Sequence, residues 1–133
     1  MRVAVGLGCD RGASLSTVQA AVEEALACID LGLAVVSVVA TIDAKRDELA
    51  ILALAERHGW PLRFYEAAEL AAVAVPSPSD TVLRRMGTPG VAEPAALLAA
   101  ATDPSGLLLA KRKYRGADGK NATVAIARVR RGG

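Results

Sequence analysis

The chain of 133 residues alternates between two patterns of apolar positions. Short apolar runs rich in β-branched residues predict strands. These runs lie at residues 2–7, 35–41, 62–65, 106–110 and 122–129. The run 35–41 is nearly continuous, which is typical of a strand buried on both faces of a parallel sheet.

Longer segments carry apolar residues at helical spacing and predict helices between the strands. They cover residues 14–32, 47–57 and 92–101, with shorter helices at 67–73 and near 80–86. Ser14 or Ser16 can cap the first helix, and Gly32 can end it. Residues 76–79 and 87–90 have the composition of turns. We expect a basic loop at 111–121 and a frayed tail at 130–133.

Strands that alternate with helices indicate an α/β fold. We expect a single domain over residues 1–133, built as a three-layer sandwich. Its sheet is predicted to be mainly parallel, with about five strands and with helices on both faces. The last strand is expected to be antiparallel and to lie at the sheet edge.

Composition excludes several classes of protein. Apolar residues make up 53% and charged residues 23%, which argues against a disordered chain. Aromatic residues make up only 3%, too few for a platform that stacks nucleic-acid bases. No signal peptide or membrane span is recognisable, so we expect a cytoplasmic location. Two cysteines provide neither a disulfide framework nor a metal site, and no metal or cofactor is expected.

The net charge of +2 hides an uneven distribution of charge. Residues 107–133 contain eight Lys and Arg but only one acidic residue, Asp118, whereas residues 1–106 have a balance of −5. A basic end predicts an anionic ligand or an acidic surface on another protein. Nucleic acid is disfavoured by the scarcity of aromatic residues and by the acidic remainder.

Three segments are expected to meet where the parallel strands end, because open α/β sheets bind ligands at that edge. They are residues 8–14, 41–45 and 111–115. The first contains Gly8, Cys9, Arg11, Gly12 and Ser14. It is interpreted either as an anion site or as a glycine turn with a purely structural role. A dinucleotide fingerprint has a different glycine spacing.

The second and third segments each allow a functional and a structural interpretation. Thr41, Asp43 and Lys45 follow a buried strand, where sites are often mounted. Asp43 can instead cap the next helix, with Lys45 as a solvated charge. Lys111 and Lys113 would face one side of an alternating strand and grip a multiply charged ligand. The alternative is a solvated basic loop or a protein-docking surface.

Four further residues carry groups that can do chemistry. Glu93 lies at the start of a helix, where it suits the helix dipole. Cys9 precedes a helix and either has a lowered thiol pKa or is a small buried side chain. His58 lies at a helix end, where capping is favoured over metal binding, and Cys28 is expected to be inert. With one histidine, no catalytic triad can be assembled.

Several of these segments together resemble one known family. The marks are VAVGLGCDRGAS (3–14), ATIDAKRDE (40–48), VPSPSDTVLRRMGTPGVAEPAALLAA (75–100), and LLLAKRKYRG followed by TVAIARV. They resemble the CobE / CbiG C-terminal family of cobalamin biosynthesis, and the length is similar to the stand-alone CobE type. The first loop departs from the family pattern, because Asp10 stands where a basic residue is usual.

The resemblance implies a role in the cobalamin pathway. CbiG-type proteins open the ring-A δ-lactone of a cobalt-precorrin and release a two-carbon aldehyde, whereas stand-alone relatives belong to the aerobic, cobalt-late pathway. Corrin intermediates are apolar macrocycles fringed with acetate and propionate carboxylates. A precorrin or corrinoid is therefore the expected ligand. The protein is expected to be a monomer or a homodimer.

We expect the ligand at the carboxyl ends of the strands. Arg11, Lys45, Lys111 and Lys113 would hold its carboxylates, and Ser14 and Thr41 would add hydrogen bonds. One alternative is a lactone hydrolase, in which Asp43 or Glu93 activates water and a lysine polarises the carbonyl. Another is a docking module whose basic C-terminal region binds an acidic face of a pathway enzyme.

Overall fold

Five apolar segments form one mixed sheet in the computed structural model, which describes residues 1–73 and 90–130. The strands are β1 (Val3–Cys9), β2 (Val36–Ile42), β3 (Leu62–Tyr65), β4 (Leu107–Arg115) and β5 (Asn121–Arg128). Their order across the sheet is β3-β2-β1-β5-β4. Strand β2 is parallel to β1 and β3, whereas β5 is antiparallel to β1 and β4. Strands β1 to β4 therefore run in the same direction.

Helices cover both faces of the sheet. They are α1 (Leu15–Cys28), α2 (Leu49–His58), α3 (Ala67–Ala71) and α4 (Ala92–Ala100). Helices α1 and α2 pack with the Val and Leu side chains of β1 on one face. Helices α3 and α4 pack on the opposite face. The predicted three-layer α/β sandwich is confirmed. No helix in the described part of the chain is long and apolar enough to cross a membrane.

The face under α4 is built from very small residues. Ala4 and Gly6 of β1 and Ala125 of β5 leave room for the helix backbone to lie directly on the sheet. A Cβ atom at Gly6 would lie 1.8 Å from the Ala92 carbonyl oxygen and 2.7 Å from the Ala96 nitrogen. Only glycine at this position permits so short a distance between helix and strand.

The C-terminal third of the chain differs from the prediction in two ways. Strand β5 is antiparallel, as expected, but it lies between β1 and β4, and β4 forms the sheet edge. The basic loop predicted at 111–121 is wrong over its first half, because β4 continues to Arg115. An edge strand faces solvent, so it accommodates Lys and Arg that a central strand would exclude. For the same reason β4 is mostly exposed and not the buried strand predicted at 106–110.

Element boundaries shift slightly elsewhere. Helix α1 is capped by Ser14, not Ser16, and it ends at Cys28, before Gly32. Residues 43–45 form a 3₁₀ turn, and α2 begins only at Leu49. The predicted turn at 76–79, the helix near 80–86 and most of the turn at 87–90 lie outside the described residues, as do residues 131–133 of the tail.

The contact between α4 and β1 gives a prediction about stability. Gly6→Ala would place a methyl group against the backbone of α4, which must shift. We expect this overpacking to lower the free energy of unfolding by about 1–3 kcal/mol. Urea denaturation measures the change. Gly32→Ala is the matched control, because a Cβ atom there meets nothing within 4 Å. Equal stability of the two variants would contradict the close contact.

Candidate functional site

The carboxyl edge is the end of the sheet where the parallel strands β1 to β4 finish. Helices α1 and α2 begin there because they follow β1 and β2 in the chain. Helix α4 also begins there, since Val91, just before it, lies 3.8 Å from the position of a Cβ atom on Gly8. The N-termini of α1, α2 and α4, each with a partial positive charge, are therefore directed towards this edge, and the short helix α3 also begins there after β3.

The loop from β1 to α1 already has carboxylates on its exposed N–H groups. Gly12, which has a φ of 81°, donates its N–H to Glu48 Oε1 at 3.2 Å. The N–H of Ser14 donates to Asp118 Oδ2 at 2.9 Å, and the Ser14 hydroxyl accepts the N–H of Thr17. The N–H groups of this loop are thus already bound by two carboxylates of the protein itself, those of Glu48 and Asp118.

Two cations and two carboxylates surround the same loop. Lys45 and Glu48 are only 5% and 4% exposed, and Lys45 Nζ lies 3.7 Å from Glu48 Oε1. Arg11 Nη1 donates to Asp47 Oδ1 at 2.8 Å, and this bond lowers the pKa of Asp47. The interpretation of Lys45 as a solvated charge is wrong. Arg11 and Lys45 do lie together, but their charges are balanced locally.

Cys9 borders this cluster without being activated by it. Its sulfur lies 3.9 Å from Glu48 Oε1. Burial raises the pKa of the thiol to about 11, and the nearby Lys45 only partly opposes that effect. The thiol is therefore protonated near neutral pH, so the interpretation with a lowered pKa is wrong, and the side chain is partly buried. Cys28 is exposed on α1.

The two proposed acid–base residues lie beside different strands of the sheet. Asp43 follows β2, whereas Glu93 on α4 contacts β4. Asp43 pairs with Arg46 and does not cap α2. Glu93, which is 2% exposed, accepts the Lys111 N–H at 2.8 Å through Oε2. Strands β2 and β4 are three strand spacings apart, which is roughly 14 Å. The two carboxylates therefore do not act on one atom.

Thr41 is placed differently from its predicted role. The side chain is fully buried, and its hydroxyl donates to the Leu7 carbonyl oxygen at 2.6 Å. This bond ties β2 to β1. Thr41 is thus part of the sheet interior and has no surface from which to bind a ligand.

Lys111 and Lys113 supply positive charge that no acidic side chain in the described part of the chain neutralises. Both are exposed on β4, and neither forms an ion pair with an acidic residue in the ranges 1–73 and 90–130. Lys113 pairs with Thr123 of β5, and Thr123 pairs with Gly8 of β1. Cross-strand partners share a face, so these three residues form one row beside the N-terminus of α4.

Three residues that shape this edge were missed by sequence reasoning. Glu48 lay inside the motif 40–48, but nothing in the pattern predicted its burial against Gly12. Thr123 interrupts the small apolar residues of β5, a signal that becomes meaningful only once β4 is paired with it. Asp118 stands out as the one acid of the basic C-terminal region.

Asp10 has a structural role in the first loop. Its carboxylate accepts the backbone N–H of Asn121 at 2.8 Å and the side-chain amide of Asn121 at 3.1 Å. The backbone bond is the main reason that the pKa of Asp10 is lowered. An acid at this position therefore fixes the start of β5 to the end of β1.

No metal-binding cluster is apparent in the described ranges. They contain no group of three His, Cys, Asp or Glu side chains that could hold an ion. His58 is engaged elsewhere, since its Nε2 lies 2.8 Å from Gln19 Oε1 and its ring stacks on Trp60 at 4.3 Å between centroids.

The chain is similar to a known family over most of its length. Residues 3–127 match the family described as Cobalamin synthesis G C-terminus. The sequence is 35% identical over 127 residues to the cobalt-precorrin-5A hydrolase of Priestia megaterium, covering 96% of this chain and 32% of that protein. It is 42% identical over 98 residues to the protein CobE of a Sinorhizobium species, covering 72% of this chain and 64% of that one. The chain thus spans less than two thirds of each relative.

A solved structure agrees with this similarity. The crystal structure of CobE, described as a protein from the cobalamin (vitamin B12) biosynthetic pathway, superimposes with a TM-score of 0.79 at 34% sequence identity. The match covers 97% of this chain and 91% of that one. The α/β fold and the arrangement of its layers are therefore those of the CobE structure.

Asp118 makes the stability of this edge dependent on pH. The N–H groups of Ser14 and Lys120 lower its pKa to about 2 from an ordinary value of 3.8. A carboxyl group with a lowered folded-state pKa stabilises the fold above the unfolded pKa, and that contribution disappears as the pH falls through the folded pKa. Asp118→Asn is therefore expected to be less stable than the wild type at pH 6. The difference should shrink between about pH 4 and pH 2 in urea denaturation. A constant difference would contradict this role of the carboxylate.

Proposed function

The chain belongs to the Cobalamin synthesis G C-terminal family, a family of cobalamin biosynthesis proteins, and from this premise we propose that it binds a precorrin or corrinoid polycarboxylate at the carboxyl edge. The bound intermediate would be held for processing or transfer to a pathway enzyme. Its acetate and propionate groups would meet the cations of the edge, and the macrocycle would lie over the small residues between them.

The observation that carries the proposal is the row of Gly8, Thr123 and Lys113. The Lys113 ammonium has no acidic partner among the residues that the structure describes, so a ligand carboxylate would meet it without displacing a protein group. Thr123 adds a hydroxyl group, and Gly8 leaves the surface flat. A charge-assisted hydrogen bond of this kind is worth about 1.5–3 kcal/mol.

The width of the edge fits a ligand with several separated acids. Arg11 lies at the loop after β1, where its side chain is 59% exposed although it contacts Asp47. Lys111 and Lys113 lie on β4, two strand spacings from β1, which is about 10 Å. A single small anion cannot span that distance, whereas a tetrapyrrole ring with carboxylates around its circumference can.

The proposal predicts which lysines matter for binding. Lys113→Ala and Lys111→Ala should each weaken binding of cobyrinic acid, a corrin whose side-chain carboxylates are free, by about tenfold. The Lys111 variant keeps the N–H that Glu93 accepts, so its fold is preserved. The shift of the corrin absorption bands on titration at low salt measures the affinity.

Two controls make the binding experiment specific. Arg57→Ala removes an exposed cation in the last turn of α2, at the end of the sandwich away from the carboxyl edge, and should leave affinity unchanged. Cobinamide, in which amides replace carboxylates, should bind weakly to the wild type. Saturable binding that is insensitive to both lysine substitutions would rule out β4 as the ligand site.

Hydrolysis of a precorrin lactone is a second candidate function, favoured by the 35% identity to a cobalt-precorrin-5A hydrolase. In such a reaction water adds to the lactone carbonyl, a base accepts its proton, and the ring C–O bond breaks to give a carboxylate and a hydroxyl group. Asp43 and Glu93 are the candidate bases, yet each already accepts a hydrogen bond from the protein. The two are too far apart to share one substrate atom.

Incubation with a lactone-bearing cobalt-precorrin separates the two functions. For a binding protein we expect no ring-opened product, which mass spectrometry would detect as a gain of one water, or as that gain combined with loss of the two-carbon aldehyde. If product does form, Asp43→Asn and Glu93→Gln identify the base by abolishing turnover while leaving binding in place. Product formed at the wild-type rate by both variants would remove Asp43 and Glu93 from the reaction.

A further inference from the structure

Strand β4 carries two extra residues in its pairing with β5, one near its start and one in its middle. The second lies between Leu109 and Arg112. Leu109 pairs with Ile126, and Arg112 pairs with Val124. Two residues of β4, Ala110 and Lys111, therefore lie opposite a single residue of β5. This is a β-bulge, and a bulge leaves a backbone N–H without a partner in the ladder.

Glu93 supplies the partner that the bulge requires. Its Oε2 accepts the Lys111 N–H at 2.8 Å, although Glu93 lies on α4 and not on a neighbouring strand. The Glu93 side chain is 2% exposed and the bond itself is part-buried, so an N–H left without this acceptor would be only partly compensated by water. The buried Glu93 carboxylate thus accepts the hydrogen bond of an N–H that the extra residue of β4 leaves outside the ladder.

The bulge decides which basic side chain faces which layer. After it, Arg112 turns towards α1, where its Nη2 donates to Glu24 Oε1 at 2.7 Å. Tyr114 packs against the core under α1. Lys113 turns to the opposite face and lies beside Thr123. Without the extra residue, strand alternation would place Arg112 opposite Thr123 and would turn Lys113 towards α1.

We propose that Glu93 is a positioning residue that fixes the bulge of β4 and thereby places Lys113 in the row with Thr123 and Gly8. The inference rests on the proposed function, in which this row holds a ligand carboxylate. Glu93 acts through the backbone of Lys111 and does not itself contact the ligand. Its negative charge is not required, only its acceptor oxygen.

The experiment compares two substitutions of Glu93. Glu93→Met keeps the side-chain length but has no acceptor oxygen, so the bulge should close and cross-strand NOEs should pair Arg112 with Thr123. In the closed register Arg112 takes the place of Lys113 in the row, so Lys113→Ala should no longer weaken the binding of cobyrinic acid, whereas in the wild type it weakens binding about tenfold. Glu93→Gln keeps an acceptor oxygen, so it should retain the wild-type pairing and bind within about threefold. A Gln variant that behaves as the Met variant would overturn the inference.

A double-variant cycle separates positioning from general damage to the fold. If Glu93 acts through Lys113, then Glu93→Met combined with Lys113→Ala should bind no more weakly than Glu93→Met alone. Additive losses would show that Glu93 supports binding by another route and would overturn the inference.

Deletion of Ala110 provides a test that remains valid even if the Glu93→Met variant does not fold. The deletion removes the extra residue, so Arg112 and Lys113 keep their partners on β5 and the N–H of Lys111 returns to the ladder. The chain that carries both Glu93→Met and the deletion should therefore fold, keep the pairing of Lys113 with Thr123, and bind within about threefold of the wild type. Failure of this rescue would overturn the inference.

The pairing and the binding measurements fail independently. If the wild type does not bind cobyrinic acid, the proposed ligand is wrong, and the NOE pattern of the Glu93 variants still decides whether Glu93 sets the register of β4. If the wild type binds but the Met variant keeps its register, the positioning inference is wrong and the proposed function stands.

Discussion

The direct contact of α4 with the backbone of β1 is the constraint on which the carboxyl edge depends. Gly6 lets the Ala92 carbonyl lie against the strand, and the residue after Ala92 is Glu93. Because the helix lies so low on the sheet, the Glu93 carboxylate reaches across β5 to the Lys111 N–H on the edge strand. A bulkier residue at position 6 would lift the helix and take the carboxylate out of reach. The absence of a side chain at Gly6 thus determines how closely α4 lies on the sheet, and with it whether Glu93 reaches β4.

Protein carboxylates hold the segments that surround the edge. Glu48 joins α2 to the first loop, Asp118 joins the β4–β5 hairpin to α1, and Asp10 joins the first loop to β5. Each bond places a negative side chain on backbone N–H groups that would otherwise attract an external anion. These bonds tie the segments of the edge together, and among the described residues exposed positive charge remains on β4 and on Arg11. This distribution favours a ligand that binds across the surface over one that inserts into the loop.

The sequence was informative where one interaction dominates a segment, and less so where several compete. The strand at 62–65 has the predicted bounds, and the apolar runs around it formed β1, β2 and β5 because burial alone decides them. Lys111 and Lys113 suggested a loop, because charge is a poor guide when an edge strand can expose it. The burial of Lys45 depends on Glu48, and the bulge of β4 depends on Glu93. Such dependences between distant residues are not visible in periodicity or composition. Of the residues predicted for the site, Arg11 and Lys45 do meet, and Lys113 lies along the same edge, whereas Thr41 is buried.

The outer side of β4 offers a row of backbone groups to any strand that approaches it, because no further strand formed by residues 1–73 or 90–130 follows it in the sheet. Natural proteins keep such borders from polymerising by placing positive charge on them. Lys111, Arg112, Lys113 and Arg115 place four like charges along the last five residues of this border. Two molecules that met side by side would bring these charges together, and the repulsion would disfavour growth into fibrils. The basic residues at the end of β4 therefore disfavour edge-to-edge pairing of two copies of the chain.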